Sequence, residues 1–205
     1  VKLLVGSGNK KKLEELRRRL AAAAGDLTLL TPADFRPPLP SPEEPHRTFL
    51  ENATEKALVY HRASGLPVLA DDSGLEVDAL AGLPGVDSAY YAGRPTDDRA
   101  NNEKLLAALQ NVPDERRTAR YRSVIVLVHR GERIFVAEGA CEGRIGRAPR
   151  GTGGFGYDPL FFMPDGQRTF AELSPDEKDR VSHRGSALSR LAAAWPGLRK
   201  VLEAP

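Results

Sequence analysis

The first 31 residues pass through a strand, a helix and a second strand, and that order narrows the architectures open to the chain. Lys2–Val5 is a short apolar run of the length of a buried strand. Leucines at 13, 16 and 20 then recur at helical spacing from Lys10 to Ala24, and Gly25 supplies a C-terminal stop. Leu27–Thr31 reads as the second strand. Further along, Arg120–His129 and Glu132–Glu138 meet across Arg130-Gly131 in the pattern of an antiparallel hairpin. Parallel-type units at both ends with an antiparallel insert predict an α/β fold in two lobes, with a mixed central sheet and helices packed around it.

The remaining elements follow from punctuation. Prolines 32, 37, 38, 40, 42 and 45 exclude regular structure and predict a long ordered loop. Thr48-Phe49-Leu50-Glu51 is a capping box that starts a helix running to about Ser64, before Gly65. Pro67–Ala70 is an apolar strand expected to end abruptly at Asp71-Asp72-Ser73-Gly74. A helix is predicted over Asp98–Leu109, a short strand over Leu160–Met163, and a helix start at Ser174-Pro175-Asp176-Glu177. After a break near Ser182, Leu188, Leu191 and Trp195 give the last helix its apolar stripe.

At 205 residues and 40% hydrophobic composition, the chain is expected to form one domain, 1–205, with a real core. A formal charge of +2 argues against nucleic acid or an anionic membrane as partner. The single cysteine, Cys141, excludes an internal disulfide and suits a reducing cytoplasm. The longest apolar run, Ser123–Val128, is too short to span a bilayer, and no signal-peptide pattern opens the sequence.

Four segments carry chemistry. Lys10, Lys11 and Lys12 stand where a helix N-terminus already bears about half a positive charge, a conflict that a shared phosphate resolves. Backbone amides of Gly6-Ser7-Gly8-Asn9 would then point at phosphate oxygens. The alternative is three solvated lysines that pair with Glu14 and Glu15. Asp71 and Asp72 stand at an expected strand end, either as a turn or as oxygen ligands for magnesium beside a phosphate, with Glu43 and Glu44 as further carboxylates. Gly151–Asp158 sets Phe155 and Tyr157 among glycines, as a base-stacking surface or as a turn around core aromatics. Ser182-His183-Arg184-Gly185 offers hydroxyl, imidazole and guanidinium donors, or a plain helix cap.

Taken together, Ser7-Gly8-Asn9 with Lys12 and Glu15, Phe49-x-Glu51-Asn52-Ala53, Ala70–Leu75, Gly82-x-Pro84-Gly85-Val86-x-Ser88-Ala89, Gly153–Pro159 and Ser182–Leu188 resemble, in order, the inosine triphosphate pyrophosphatase family. The resemblance implies a two-lobed domain with its active site in the cleft between the lobes, usually a homodimer, that hydrolyses ITP, dITP and XTP to the monophosphate and pyrophosphate with Mg2+. It implies that Ser7, Gly8, Asn9, Lys10, Lys11 and Lys12 hold the triphosphate. Asp72 corresponds to the general base and metal ligand, Asp71 to its support, Glu44 to a second metal-binding acid and Ser73 to a substrate contact. Phe155, Gly156, Tyr157 and Asp158 correspond to base and sugar contacts, and Lys178, His183 and Arg184 to purine-reading side chains. A Maf-like nucleotide pyrophosphatase and a non-catalytic nucleotide-binding protein are the competing readings; the Ser-His-Arg segment argues against the first, and Asp72 with Lys12 against the second.

Overall fold

The computed structural model describes residues 1–7, 10–21 and 27–204, and the backbone alone for 10, 11 and 19–21. Strand β1 (Lys2–Val5) leads to helix α1 (Lys10–Ala21) and strand β2 (Thr28–Leu30). Helix α2 (Phe49–Ser64), strand β3 (Val68–Val77) and helix α3 (Asp98–Ala108) follow. Strands β4 (Thr118–His129), β5 (Glu132–Ile145) and β6 (Phe161–Phe162) come next, then helices α4 (Pro175–Val181) and α5 (His183–Glu203). The six strands lie in the order β2-β1-β3-β4-β5-β6, with β1 parallel to both β2 and β3 and β6 antiparallel to β5. The mixed sheet of the expected α/β class is therefore present.

Local chemistry sets the element ends. Thr48 caps α2 by accepting from the Glu51 amide at 3.2 Å, and its hydroxyl donates to the Glu51 carboxylate at 2.7 Å. Glu51 thus closes its half of the capping motif on the hydroxyl. Gly65, at φ 70°, ends the helix in the left-handed conformation that favours glycine. Arg130 and Gly131 both have positive φ, 54° and 79°, which matches the twist of a two-residue hairpin turn between β4 and β5. α4 begins on Ser174 with Pro175 in the first turn, as its sequence predicts.

Two boundaries depart clearly from expectation. β5, expected to end at Glu138, runs to Ile145. The strand predicted to stop at Ala70 continues through Asp71, Asp72, Ser73 and Gly74 to Val77. β1 pairs with β3 at Val68 and Leu69 and β4 is its neighbour on the other side, so pairing with strands remote in sequence overrides the turn preference of these residues.

The chain divides into two compact units: Val1–Asp72 with Ser123–Gly139 and Arg184–Pro205, and Ser73–Arg122 with Ala140–His183. In the first, α1 and α5 bury Leu16, Leu188, Leu191 and Trp195 with Leu69 and Ile125. In the second, Leu75, Leu105, Leu109, Tyr121, Phe161 and Phe170 form the core. Among the described residues no helix is long and apolar enough to cross a membrane.

The second unit also buries Arg117, 2% exposed, which serves as a staple. Its guanidinium donates to the carbonyls of Ile145 at 2.9 Å, Leu109 at 2.6 Å and Gly146 at 2.7 Å. Arg117→Met keeps much of the aliphatic volume and orphans those acceptors. It is expected to lower the urea stability of the protein by about 3 kcal/mol, and an unchanged unfolding midpoint would remove the staple from the account.

Candidate active site

Successive side chains of a strand point to opposite faces, so an uninterrupted β3 sends Asp71 and Asp72 apart. Asp71 meets α1 and α5. Lys12 Nζ lies 2.8 Å from Asp71 Oδ2, and Arg184 Nε lies 3.7 Å from the same oxygen. Arg184 also donates to Glu15 Oε2 at 2.6 Å, which makes an alternating series of Lys12, Asp71, Arg184 and Glu15. Burial alone would raise the Asp71 pKa, but Lys12, Arg184 and Lys56 together hold it well below the usual carboxylate range. Ser7, Lys12, Asp71 and Arg184 line a pocket floored by Leu16 and Leu69. α1 has no acidic residue in its first turn, so its positive end is not offset from within the helix.

Asp72 meets α2 instead. Asn52 Nδ2 donates to Asp72 Oδ2 at 3.2 Å in a buried setting. Lys56, one turn further along α2, donates to the Asp71 carbonyl at 3.0 Å and forms an ion pair with Glu44. Burial pushes the Asp72 carboxyl up to about 6; Lys56 and Lys12 oppose the shift, and Glu44 and Asp71 add to it. Burial works against the charge of Lys56, yet Asp71, Glu44 and Asp72 outweigh it and raise its pKa. A carboxyl poised near neutrality can take a proton from water, which the deeply ionised Asp71 does poorly.

A separate cluster forms in the second unit. Asp158, 2% exposed, accepts from Lys178 Nζ at 2.5 Å, from the Phe155 amide at 2.8 Å and from the Tyr121 hydroxyl at 3.4 Å. The Lys178 ammonium lies 4.6 Å from the Phe155 ring centroid. The His183 ring stacks on Tyr121 with centroids 4.7 Å apart and planes 11° from parallel. Gly156 is held from α3, its amide donating to Asp98 at 2.8 Å and its carbonyl accepting from Asn102 at 2.8 Å. Gly154 has φ +70°, and a Cβ there would overlap the Asp158 carboxylate, so this position requires glycine on both counts.

The sequence-predicted residues therefore fall into two groups. Lys12, Glu44, Asp71, Asp72 and Arg184 come together in the first unit, with Ser7 at the pocket. Phe155, Gly156, Asp158, Lys178 and His183 belong to the second, as does Ser73, half-buried and next along β3. Gly8 and Asn9 lie outside the described residues, and for Lys10 and Lys11 only the backbone in α1 is described. Tyr157 is 3% exposed in the core of the second unit and its hydroxyl donates to the Ser88 carbonyl at 2.8 Å, the arrangement of the core-aromatic alternative for its segment. Arg184 is engaged by Glu15 and Asp71, a setting the sequence did not indicate.

Lys56 and Tyr121 join the site unannounced, and Asn52, which the sequence marked only as part of a motif, gains a role there. Asn52 and Lys56 stand four apart on α2, a spacing that puts them on one helix face beneath Asp72, and that periodicity was the available signal. Tyr121 had only strand alternation to mark it. Among the described residues no three His, Cys, Asp or Glu side chains converge as a protein-only metal site.

Comparison with known proteins places this geometry among relatives. The Ham1 family model matches residues 3–194. The chain is 54% identical over 198 residues to the dITP/XTP pyrophosphatase of Mycobacterium tuberculosis, covering 96% of each chain. It is 50% identical over 195 residues to the dITP/XTP pyrophosphatase of Thermus thermophilus, covering 95% of this chain and 92% of that one. Among solved structures, a HAM1 protein from Coxiella burnetii superposes with a TM-score of 0.88 at 40% identity, covering 96% of this chain and 99% of that one. The dITP/XTP pyrophosphatase from Mycobacterium abscessus superposes with a TM-score of 0.77 at 48% identity, covering 93% and 97%.

The raised Asp72 pKa makes a stability prediction for metal-free protein. Its folded value of about 6 exceeds the ordinary 3.8, so ionised Asp72 destabilises the fold, fully above pH 6 and not at all well below pH 4. Asp72→Asn is therefore expected to be more stable than wild type at pH 7.5, by on the order of 1–3 kcal/mol, with the difference vanishing towards pH 4. Urea titrations in EDTA at both pH values measure it, and a less stable variant at pH 7.5 would contradict the burial account.

Proposed function

The chain belongs to the Ham1 family, and we propose that its two side-chain clusters divide the work of the dITP/XTP pyrophosphatase reaction after which its relatives are named. The protein is a nucleoside triphosphate pyrophosphatase that splits deaminated purine nucleotides to the monophosphate and pyrophosphate. Neither a Maf-like pyrophosphatase nor a non-catalytic binder is favoured by these relatives.

The observation that carries the mechanism is the contrast within Asp71-Asp72. Asp71 is locked in its ionised form against Lys12 and Arg184, whereas Asp72 is buried and held near neutrality. Asp72 is the proposed base: it accepts the proton of a water that attacks the α-phosphorus as the bond to the β-phosphate oxygen breaks. Lys12, already at the pocket, is proposed to neutralise the charge that gathers on the departing pyrophosphate, with the first turn of α1 adding its dipole. Ser7 to Lys11 are proposed to complete the triphosphate cradle.

The residues also fit a hard divalent cation, for which we propose Mg2+. Glu44 adds to the rise in the Asp72 pKa, so its charge is felt at Asp72, and magnesium commonly takes one or two carboxylates with substrate phosphates and waters. When bound, the cation would supply charge neutralisation to the phosphates.

Purine reading is assigned to the second cluster. Hypoxanthine and xanthine present a carbonyl oxygen at the six position, where adenine presents an amino group. Lys178 and His183 are proposed to meet that oxygen and Phe155 the ring or sugar, while Asp158 fixes the Lys178 ammonium. Adenine would set donor against donor in a buried place, which is costly. Arg184 is proposed to act chiefly by steadying Lys12 and Asp71. A homodimer is the proposed assembly, with sedimentation velocity expected to give twice the chain mass.

The test is pyrophosphate release from ITP, XTP, ATP and GTP with magnesium. Fast release is expected from ITP and XTP, at least about tenfold slower release from ATP, and a loss of roughly a thousandfold or more in Asp72→Asn. Equal rates on ITP and ATP would sink the purine-reading role of Lys178 and His183. Near-normal turnover by Asp72→Asn would remove Asp72 from the chemistry.

A further inference from the structure

Asn52 is 1% exposed and sits within a helix, although asparagine is a weak helix former and a buried amide is tolerated only when its hydrogen bonds are made. Its partners lie on two different parts of the chain. Oδ1 accepts from the His46 amide at 2.9 Å, while Nδ2 donates to the His46 carbonyl at 3.1 Å and to Asp72 Oδ2 at 3.2 Å. The His46 backbone fixes the orientation of the amide: an N–H can only donate and a carbonyl can only accept, so Nδ2 must be the atom that faces Asp72.

His46 closes a stretch, residues 38–46, that has neither helix nor strand, and it lies two residues beyond Glu44. One side chain therefore anchors the end of the segment that carries Glu44 and also donates to the carboxylate on β3. A purely structural anchor would need only the two bonds to His46. The third bond reaches Asp72, the carboxyl proposed as the base.

We propose that Asn52 is a positioning residue for the reaction: its hydrogen bond to Oδ2 fixes the rotamer of Asp72, the proposed base. The proposal rests on the assignment of Asp72 as base. A residue that only orients the base acts on turnover and not on the affinity for nucleotide, whose proposed contacts are made by other side chains.

The test compares wild type, Asn52→Ala and Asp72→Asn in single-turnover hydrolysis of ITP with magnesium, and in calorimetric binding of the non-hydrolysable α,β-methylene analogue of ITP. Asn52→Ala is expected to turn over about tenfold to a hundredfold more slowly while binding the analogue within about threefold of wild type, the loss of one hydrogen bond to a charged group. Wild-type turnover would overturn the proposal, and so would a parallel loss of turnover and analogue binding, which marks a merely structural residue. If Asn52→Ala fails to fold, Asn52→Asp keeps the bond accepted from His46 and loses the donor to Asp72; it is expected to show the same turnover loss, and wild-type turnover there is equally fatal. An active Asp72→Asn would instead remove the base assignment, whereas an inactive Asp72→Asn beside a fully active Asn52→Ala removes the role of Asn52 alone.

Discussion

Two carboxylates on successive residues of a strand that is paired on both sides set the terms for everything near them. Burying an ionised carboxylate is costly unless it is paired, and a strand cannot turn both into one pocket. The chain handles them differently. Asp71 is neutralised by Lys12 and Arg184, and Arg184 is balanced in turn by Glu15, so α1 and α5 are tied to β3 by charge as well as by their shared apolar face. Asp72 accepts from a neutral amide, and burial prevails over the pull of Lys56 and Lys12. Adjacent acids of identical chemistry thus acquire opposite proton affinities from the two faces of one strand.

Much of this arrangement was legible locally. The helical spacing of α1 and α5, the caps of α2 and α4, and the Arg130-Gly131 hairpin all depend on residues within a few positions of one another. The course of β3 was not, because Asp-Asp-Ser-Gly carries every local mark of a turn and its extension depends on β1 and β4, remote in sequence. Asp72 and Lys12 stood out as motifs. Asn52 stood in a motif but without a role, and Lys56 in none, since their contacts are with residues 20 and 15 positions away. The Gly151–Asp158 segment left two readings open for a related reason: aromatic residues among glycines read the same whether the ring faces a ligand or the core.

In the second unit the same problem of a buried charge is solved with a loop. The glycines around Phe155 give the backbone the turns it needs, and Gly154 also leaves room for Asp158. Freedom of that kind would be useless in a site that must present side chains at fixed distances. It is removed from outside, by Asp98 and Asn102 of α3 on Gly156 and by Tyr121 and Lys178 on Asp158. Asp158 is therefore the hub: it holds its own loop through the Phe155 amide and at the same time sets the ammonium of Lys178 over the Phe155 ring.

Charge balance in the first unit bears on the form of nucleotide it suits. Among its described site side chains, the cations Lys12, Lys56 and Arg184 face the carboxylates Glu15, Glu44, Asp71 and Asp72. Each cation already has an acidic partner, so a bare triphosphate would have to displace Asp71 from Lys12 and bring further negative charge towards Asp72 and Glu44. Repulsion at such distances is large in a partly buried site. The same group of side chains would become favourable if positive charge arrived with the phosphates, because Asp72 and Glu44, the proposed ligands, would then face a cation instead of a bare anion. The excess of acid over base among these described side chains is thus a physical reason for the proposed site to favour a nucleotide complexed with a divalent cation over the free anion.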